Sequence, residues 1–104
     1  MSNTSDKNYV PEPIDTSDVK LSGDLLELSK LLAKNNHEVW ARQRMKDGWR
    51  FGPARNDQRR EHPSLVPYEK LPELEKKYDD IVVLEMIKAI IVMGYRIAVP
   101  ITDS

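Results

Sequence analysis

The stretch from Ile81 to Met93 is the most apolar part of the chain, and it is interrupted only by Glu85 and Lys88. Its first residues alone would suit a strand, but the stretch exceeds the length of an ordinary strand, and Gly94 follows it as a helix C-terminal signal. It is too short to cross a bilayer, which needs about 20 apolar residues. We therefore predict a helix from about Asp79 to Met93. Because apolar residues occupy most of its circumference, this helix is either central in the fold or shared with a second subunit.

The residues just before this helix, Leu71 to Lys77, have the composition of a first helical turn. Pro72 takes an early position and the acidic Glu73 and Glu75 follow it. The sequence leaves two arrangements open, because this turn either runs directly into the second helix or is kinked from it.

An earlier helix is predicted to begin at Ser22, whose hydroxyl suits the N-cap position, and to end near Lys46. Gly48 lies just beyond that end and is the expected stop signal. Apolar residues recur through this segment at helical spacing, namely Leu25, Leu28, Leu32 and Val39.

The segment from Gly48 to Pro67 contains repeated glycine and proline and no lasting apolar period, so it is predicted to be a long ordered loop. The alternating residues Tyr95 to Pro100 favour a short edge strand or an extended tail. They are predicted to pair with the extended stretch from Val10 to Ile14. The predicted fold is therefore mainly α, with two principal helices, a long ordered loop and short antiparallel strands near the termini.

The length of 104 residues leaves room for a single domain. We assign it to residues 9–99, with a disordered N-terminal tail over 1–8 and a C-terminal tail over 100–104. The chain has no cysteine, which argues against a disulfide framework, zinc fingers and thiol catalysis. Its N-terminus is polar and lacks the apolar core of a signal peptide. These features predict a soluble cytoplasmic protein with no membrane partner.

The net charge of -1 hides a local asymmetry. Between Arg42 and Arg60 seven basic residues stand against two acidic ones, so this segment carries +5 and the remainder of the chain carries -6. Such a balance disfavours binding to a nucleic-acid polymer and favours a small anionic ligand at one place.

The aromatic residues of this basic region lie at a spacing that suits a ligand. On a helix, His37, Trp40 and Arg44 share one face. An aromatic ring can stack on a nucleobase, and arginine matches phosphate oxygens with two parallel hydrogen bonds. The candidate ligand-binding residues are therefore His37, Trp40, Arg44, Trp49, Arg55 and Asn56.

Each of these residues also has a purely structural interpretation, which the sequence leaves open. Trp40 suits a core anchor on an amphipathic helix, and Trp49 suits a plug that fixes the loop to the core. His37 suits a hydrogen bond to a backbone carbonyl, and the arginines suit contacts with loop carbonyls or with solvent.

Catalytic and metal-dependent interpretations fit the sequence poorly. His37 and His62 lack the carboxylate spacing of a metal site. Ser64 lies near His62 but has no nucleophile elbow around it, and no glycine-rich phosphate loop is present. We expect no enzymatic activity, no metal and no cofactor.

Several ungapped motifs, in order, strongly resemble the RyR domain, the repeat that occurs in tandem pairs in ryanodine receptors. The motifs are Pro13 to Thr16, His37 to Ala41, Asp47 to Pro53, Arg55 to Asp57, His62 to Tyr68, Leu71 to Glu73 and Met93 to Tyr95. The resemblance covers Val10 to about Ile97, which is nearly the whole chain.

This resemblance implies a small helical RyR-repeat-like module with short antiparallel strands and no catalytic activity. The family is associated with adenine-nucleotide-type ligands near its aromatic and polar motif residues. By motif position these correspond here to His37, Trp40, Trp49, Arg55 and Asn56. Asn56 departs from the acidic residue that the receptors often have there.

The chain contains one repeat and none of the channel, so calcium release, ryanodine binding and gating do not transfer to it. Two hypotheses follow. In the first, the Trp/His/Arg cluster senses a nucleotide-like anionic small molecule. In the second, the aromatic residues are structural, and the protein is an interaction module whose copies associate as a homodimer that mimics the tandem receptor repeats.

Overall fold

Two α-helices dominate the structure, a computed structural model that describes residues 8–100. Helix α1 spans Gly23–Lys46, and helix α2 spans Glu73–Val92. Between them lie strand β1 (Arg50–Phe51), strand β2 (Glu61–His62) and a 3-10 helix (Tyr68–Lys70). The predicted mainly α fold with two principal helices and a long ordered loop is confirmed. Along residues 8–100 neither helix is long and apolar enough to cross a membrane.

The boundaries of α1 follow from its capping residues. Ser22 is the N-cap, and its hydroxyl oxygen accepts a hydrogen bond from the backbone N–H of Leu25 at 3.3 Å. At the other end Gly48 has φ of +91° and accommodates the left-handed turn that closes the helix. Both predicted boundary signals of this helix are confirmed.

Helix α2 is continuous from Glu73, which resolves the question that the sequence left open at its start. Pro72 is the N-cap residue, and the predicted first turn and the apolar segment belong to one uninterrupted helix. Gly94 has φ of +97° and follows the C-cap residue Met93, so this end repeats the glycine stop of α1.

The prediction of antiparallel strands near the termini was wrong. Residues 9–14 and 95–100 contain no strand, whereas β1 and β2 form a parallel pair inside the loop. The physical reason at the C-terminal side is that Ile97 packs as a single side chain against the hydrophobic core rather than joining a ladder. At the N-terminal side Pro11 and Pro13 lack the N–H donors that a strand needs.

The strand pair depends on a close approach between the two ends of the loop. Gly52 is buried, and a Cβ atom at this position would lie 2.5 Å from the Cβ of Glu61. The N–H of Gly52 donates to the carbonyl of His62 at 3.3 Å, and the N–H of Arg50 donates to Arg60. The missing side chain of Gly52 therefore lets β2 lie against β1.

The hydrophobic core lies where the two long helices cross. Ala33 of α1 contacts Val83 and Ile87 of α2, and these three residues are buried. Partly buried apolar side chains from other segments complete the cluster, namely Leu21, Tyr68, Ile91 and Ile97. The tail predictions for 1–8 and 100–104 lie, except for Asn8 and Pro100, outside the described residues.

Candidate functional site

His37, Trp40 and Arg44 lie on one face of α1, as their spacing predicts. His37 is only 4% exposed, and its Nε2 lies 2.8 Å from the backbone carbonyl of Val66. A carbonyl oxygen only accepts, so Nε2–H is the donor. The structure thus shows the backbone contact that the sequence offered as an alternative for His37. The imidazole also stacks on the Trp40 ring at a centroid distance of 5.6 Å.

The end of α1 brings Trp49 back to this face. The N–H of Trp49 donates to the carbonyl of Arg44 at 3.0 Å, and the N–H of Gly48 donates to Met45 at 3.1 Å. These two bonds define a Schellman motif, in which the residue after the glycine contacts the last turn of the helix. The guanidinium carbon of Arg44 consequently lies 4.6 Å from the Trp49 ring centroid and 5.6 Å from that of Trp40.

His62 joins the two tryptophans and was not among the residues predicted for the site. Strand β2 places its ring edge against Trp40 at a centroid distance of 5.0 Å, and Trp49 lies 6.2 Å away on a tilted plane. No spacing rule connects residue 62 with α1, because its position depends on the pairing of β2 with β1. The sequence therefore carried no signal for this contact.

Arg55 and Asn56 take different positions in the loop. The guanidinium carbon of Arg55 is 5.9 Å from the Trp49 centroid, and its Nε donates to Asp57 at 2.8 Å. The side-chain oxygen of Asn56 accepts from the N–H of Arg59 at 3.0 Å, so its amide shapes the turn. The structure thus gathers His37, Trp40, Arg44, Trp49 and Arg55 into one cluster, which with His62 we call the Trp/His/Arg cluster, and engages Asn56 beside it.

A cleft of about 300 Å³ borders this cluster between α1, the loop and the start of α2. Ser64 donates its hydroxyl to Glu75 at 2.7 Å on one wall. On the α2 side, burial raises the pKa of the Asp79 carboxyl. The lining residues are Asn36, His37, Trp40, His62, Ser64, Leu71, Glu75, Tyr78 and Asp79. The cleft is therefore acidic and aromatic, whereas the arginines contact the tryptophans.

The acidic lining of the cleft corrects the expectation that the whole site is complementary to an anionic ligand. Arg44 and Arg55 are not among the residues that line the cleft, and Glu75 and Asp79 are. A ligand that uses both regions needs hydrogen-bond donors at one end and negative charge at the other. The described residues contain no group of three or more histidine and carboxylate side chains that could hold a metal ion.

The surroundings of His62 disfavour the charged form of its imidazole. Burial, together with the nearby Arg55 and Arg44 charges, lowers the pKa of His62, while the Glu75 and Asp57 carboxylates oppose that shift. Its Nδ1 accepts the N–H of Ser64 at 3.0 Å, a bond that protonation of Nδ1 would remove. The neutral form therefore supports both the aromatic contacts and the local turn.

We expect acidification to destabilise the domain through His62. Because the folded pKa is below the unfolded value of about 6.5, the unfolded chain binds more protons, and stability falls as pH drops through that value. The urea midpoint should decline between about pH 7 and pH 5, and less steeply in His62→Gln. Every other ionisable side chain is retained in the variant, so parallel profiles for both proteins would contradict this role of His62.

The sequence was also compared with models of known protein families. A model of the RyR domain family matches residues 9–99 of the chain. The match includes both long helices, the loop with its strand pair and every residue of the Trp/His/Arg cluster.

Proposed function

The chain belongs to the RyR domain family, and from this membership we propose that it is a non-catalytic binding module for a nucleotide-like small molecule. The observation that carries the proposal is the position of Trp40. This one ring lines the acidic cleft and also lies 5.6 Å from the Arg44 guanidinium. A ligand seated on Trp40 would therefore reach both polar environments.

The cleft suits the heterocyclic part of such a ligand. A flat ring stacked on Trp40 gains about 1–3 kcal/mol. Amino groups on its edge would donate hydrogen bonds to the carboxylates of Glu75 and Asp79, which border the cleft. The raised pKa of Asp79 is consistent with a carboxyl group that a donor on the ligand would stabilise in its charged form.

The arginines suit the anionic part. Within residues 8–100 Arg44 has no carboxylate within ion-pair distance, whereas Arg55 shares its charge with Asp57 at 2.8 Å. Arg44 is thus the principal candidate for a phosphate, with Arg55 as a weaker second contact. A long nucleic-acid backbone is disfavoured, because the Glu75 and Asp79 carboxylates beside the same ring would repel further phosphates.

A nucleotide panel tests this proposal. Thermal unfolding and tryptophan fluorescence would be followed with AMP, ADP, CMP and UMP, with adenosine and with inorganic phosphate. We expect the amino-bearing nucleotides AMP, ADP and CMP to raise the melting temperature, and adenosine or phosphate alone to act far more weakly. A ligand at about 100 times its Kd stabilises the folded state by about 2.7 kcal/mol.

Two arginine variants on the same helix give the matched comparison. Arg44→Gln is expected to weaken nucleotide binding about tenfold or more, because a charge-assisted hydrogen bond contributes about 1.5–3 kcal/mol. Arg42→Gln removes the same charge but lies on the wall of a separate groove formed with Leu65 and Val66, so binding should be unchanged. No stabilisation at millimolar nucleotide, or equal losses in both variants, would contradict the proposal.

A further inference from the structure

A groove of about 630 Å³ lies between the second half of α1 and the segment that follows β2. It shares no lining residue with the cleft beside Trp40. Its inner surface is apolar, because Leu65 is buried, Val66 is half-buried and the short side chain of Ala41 leaves space between the helix and these two residues. The lining residues are Glu38, Ala41, Arg42, Met45, Lys46, Leu65, Val66 and Pro67.

Two basic side chains border this groove without a partner of their own. Arg42 and Lys46 are exposed, and within residues 8–100 neither has a carboxylate within ion-pair distance. Arg50, by contrast, pairs with Glu61 at 3.3 Å. Among the described lining residues Glu38 is the single acid, so the groove has an excess of positive charge. Part of the charge of the basic segment 42–60 is therefore available here to an anionic partner.

The wall opposite α1 also offers a backbone donor. Within residues 8–100 the N–H of Val66 donates to no backbone carbonyl, whereas the Val66 carbonyl accepts from the buried His37 at 2.8 Å. An extended peptide has carbonyl groups that can accept from such an N–H, and an alkyl chain has none. A free backbone donor beside apolar side chains therefore favours a peptide as the occupant.

The spacing of the two cations matches an extended chain. Residues four apart on a helix, such as Arg42 and Lys46, are separated by about 6 Å along its axis, and alternate residues of a strand by about 6.6 Å. The α1 residues of the groove run from Glu38 to Lys46, a length of about 12 Å that corresponds to about four extended residues. Alternate side chains of a peptide along α1 would therefore face the two cations, and the intervening ones would face Leu65 and Val66.

We propose that this groove binds an extended acidic segment of a partner protein, in which carboxylate and apolar residues alternate. The carboxylates pair with Arg42 and Lys46, and the apolar side chains pack on Leu65 and Val66. Met45 is 57% exposed at the same groove and is covered by the peptide. A nucleic-acid backbone fits less well, because it has no apolar side chains to place against these residues.

Fluorescence anisotropy of the full chain with a defined peptide tests the proposal. The probe is the capped, fluorescein-labelled hexapeptide Gly-Leu-Glu-Val-Asp-Gly. One control peptide has Gln and Asn in place of its acids, and the other has Ser in place of Leu and Val. We expect a Kd of about 100 µM for the probe, at least about tenfold weaker binding of either control, and weaker binding at high salt. No saturable binding below about 1 mM, or equal binding of acidic and neutral peptides, would overturn the proposal.

Matched charge variants locate the site. The double variant Arg42→Gln with Lys46→Gln should raise the Kd of the probe about tenfold, because two exposed ion pairs are lost. Lys20→Gln with Arg59→Gln also removes two positive charges, but outside the groove, and should leave the Kd unchanged. Circular dichroism would verify that each variant is folded. Equal losses in the two double variants, or loss of the peptide in Arg44→Gln, would overturn this groove as the binding site.

Two further measurements identify other occupants. In amide NMR spectra the probe should shift the signals of Ala41, Met45 and Val66 and leave the indole N–H of Trp40 unchanged. Displacement of the probe by a single-stranded oligonucleotide of equal charge would assign the groove to nucleic acid and overturn the proposal. Self-association of the wild type that is lost in the Arg42/Lys46 variant would assign it to a second copy and overturn the proposal as well.

Discussion

Replacing Ile87 with alanine is expected to lower the free energy of unfolding by about 3 kcal/mol, within the 2–5 kcal/mol typical of such buried truncations. Ile87 is 3% exposed and packs in the cluster with Ala33 and Val83 where the two helices cross. Because this cluster is small, few neighbouring side chains are available to fill the space that the truncation leaves.

The loss is large relative to the whole stability of the domain. A chain of this size is stabilised by about 5–10 kcal/mol, so Ile87→Ala should remove a substantial fraction of it. Urea unfolding at one fixed protein concentration measures the effect. Leu31→Ala truncates a 69% exposed residue of α1 and should change stability by less than about 0.5 kcal/mol. Equal midpoints for the two variants would show that the helix crossing is not the stabilising centre.

The two helices could be predicted because their signals are local. Ser22 and Gly48 bound α1, and Gly94 follows α2, so each signal lies within a few residues of the helix end that it determines. The helical spacing of apolar residues between those signals predicted the helical segments themselves. The length of the apolar segment from Ile81 to Met93 correctly outweighed its strand-like composition.

The strands could not be predicted because their cause is not local. β1 and β2 pair because the bare backbone of Gly52 approaches Glu61, nine residues further along the chain. The alternation from Tyr95 to Val99 is a true local pattern, but only Ile97 of that segment finds a place against the core. An alternating apolar pattern indicates which side chains lie on the same face of an extended segment. A strand forms only where a second backbone is present to pair with it.

The candidate site likewise has some residues that local sequence signals predict and others that they do not. The shared face of His37, Trp40 and Arg44 follows from helical spacing, and Trp49 follows from the glycine turn after α1. Three polar residues near Trp40 were missed as parts of the site, because they reach it from β2 and α2 across long separations in sequence. They are His62, Glu75 and Asp79.

His37 contributes both to the candidate site and to the packing of the loop against α1. Its Nε2–H donates to Val66 at 2.8 Å while its ring stacks on Trp40, so one buried side chain fastens the loop to α1 beside the cleft. His37→Ala removes this donor, leaves the Val66 carbonyl without it and opens a cavity. We expect the free energy of unfolding to fall by about 2–4 kcal/mol. Urea unfolding would measure the loss, and Val39→Ala, at a 45% exposed position of the same helix, is the control.

His37→Gln distinguishes the anchoring role from direct ligand contact. The glutamine amide can donate to the Val66 carbonyl, so part of the stability and of the nucleotide response should return. Hydrogen exchange should accelerate in the loop of His37→Ala, for example at the Leu65 amide that donates to His62. The α1 amides should change less. If His37→Ala instead kept the wild-type stability and loop protection but lost the response to AMP, His37 would be a ligand contact rather than the anchor of the loop.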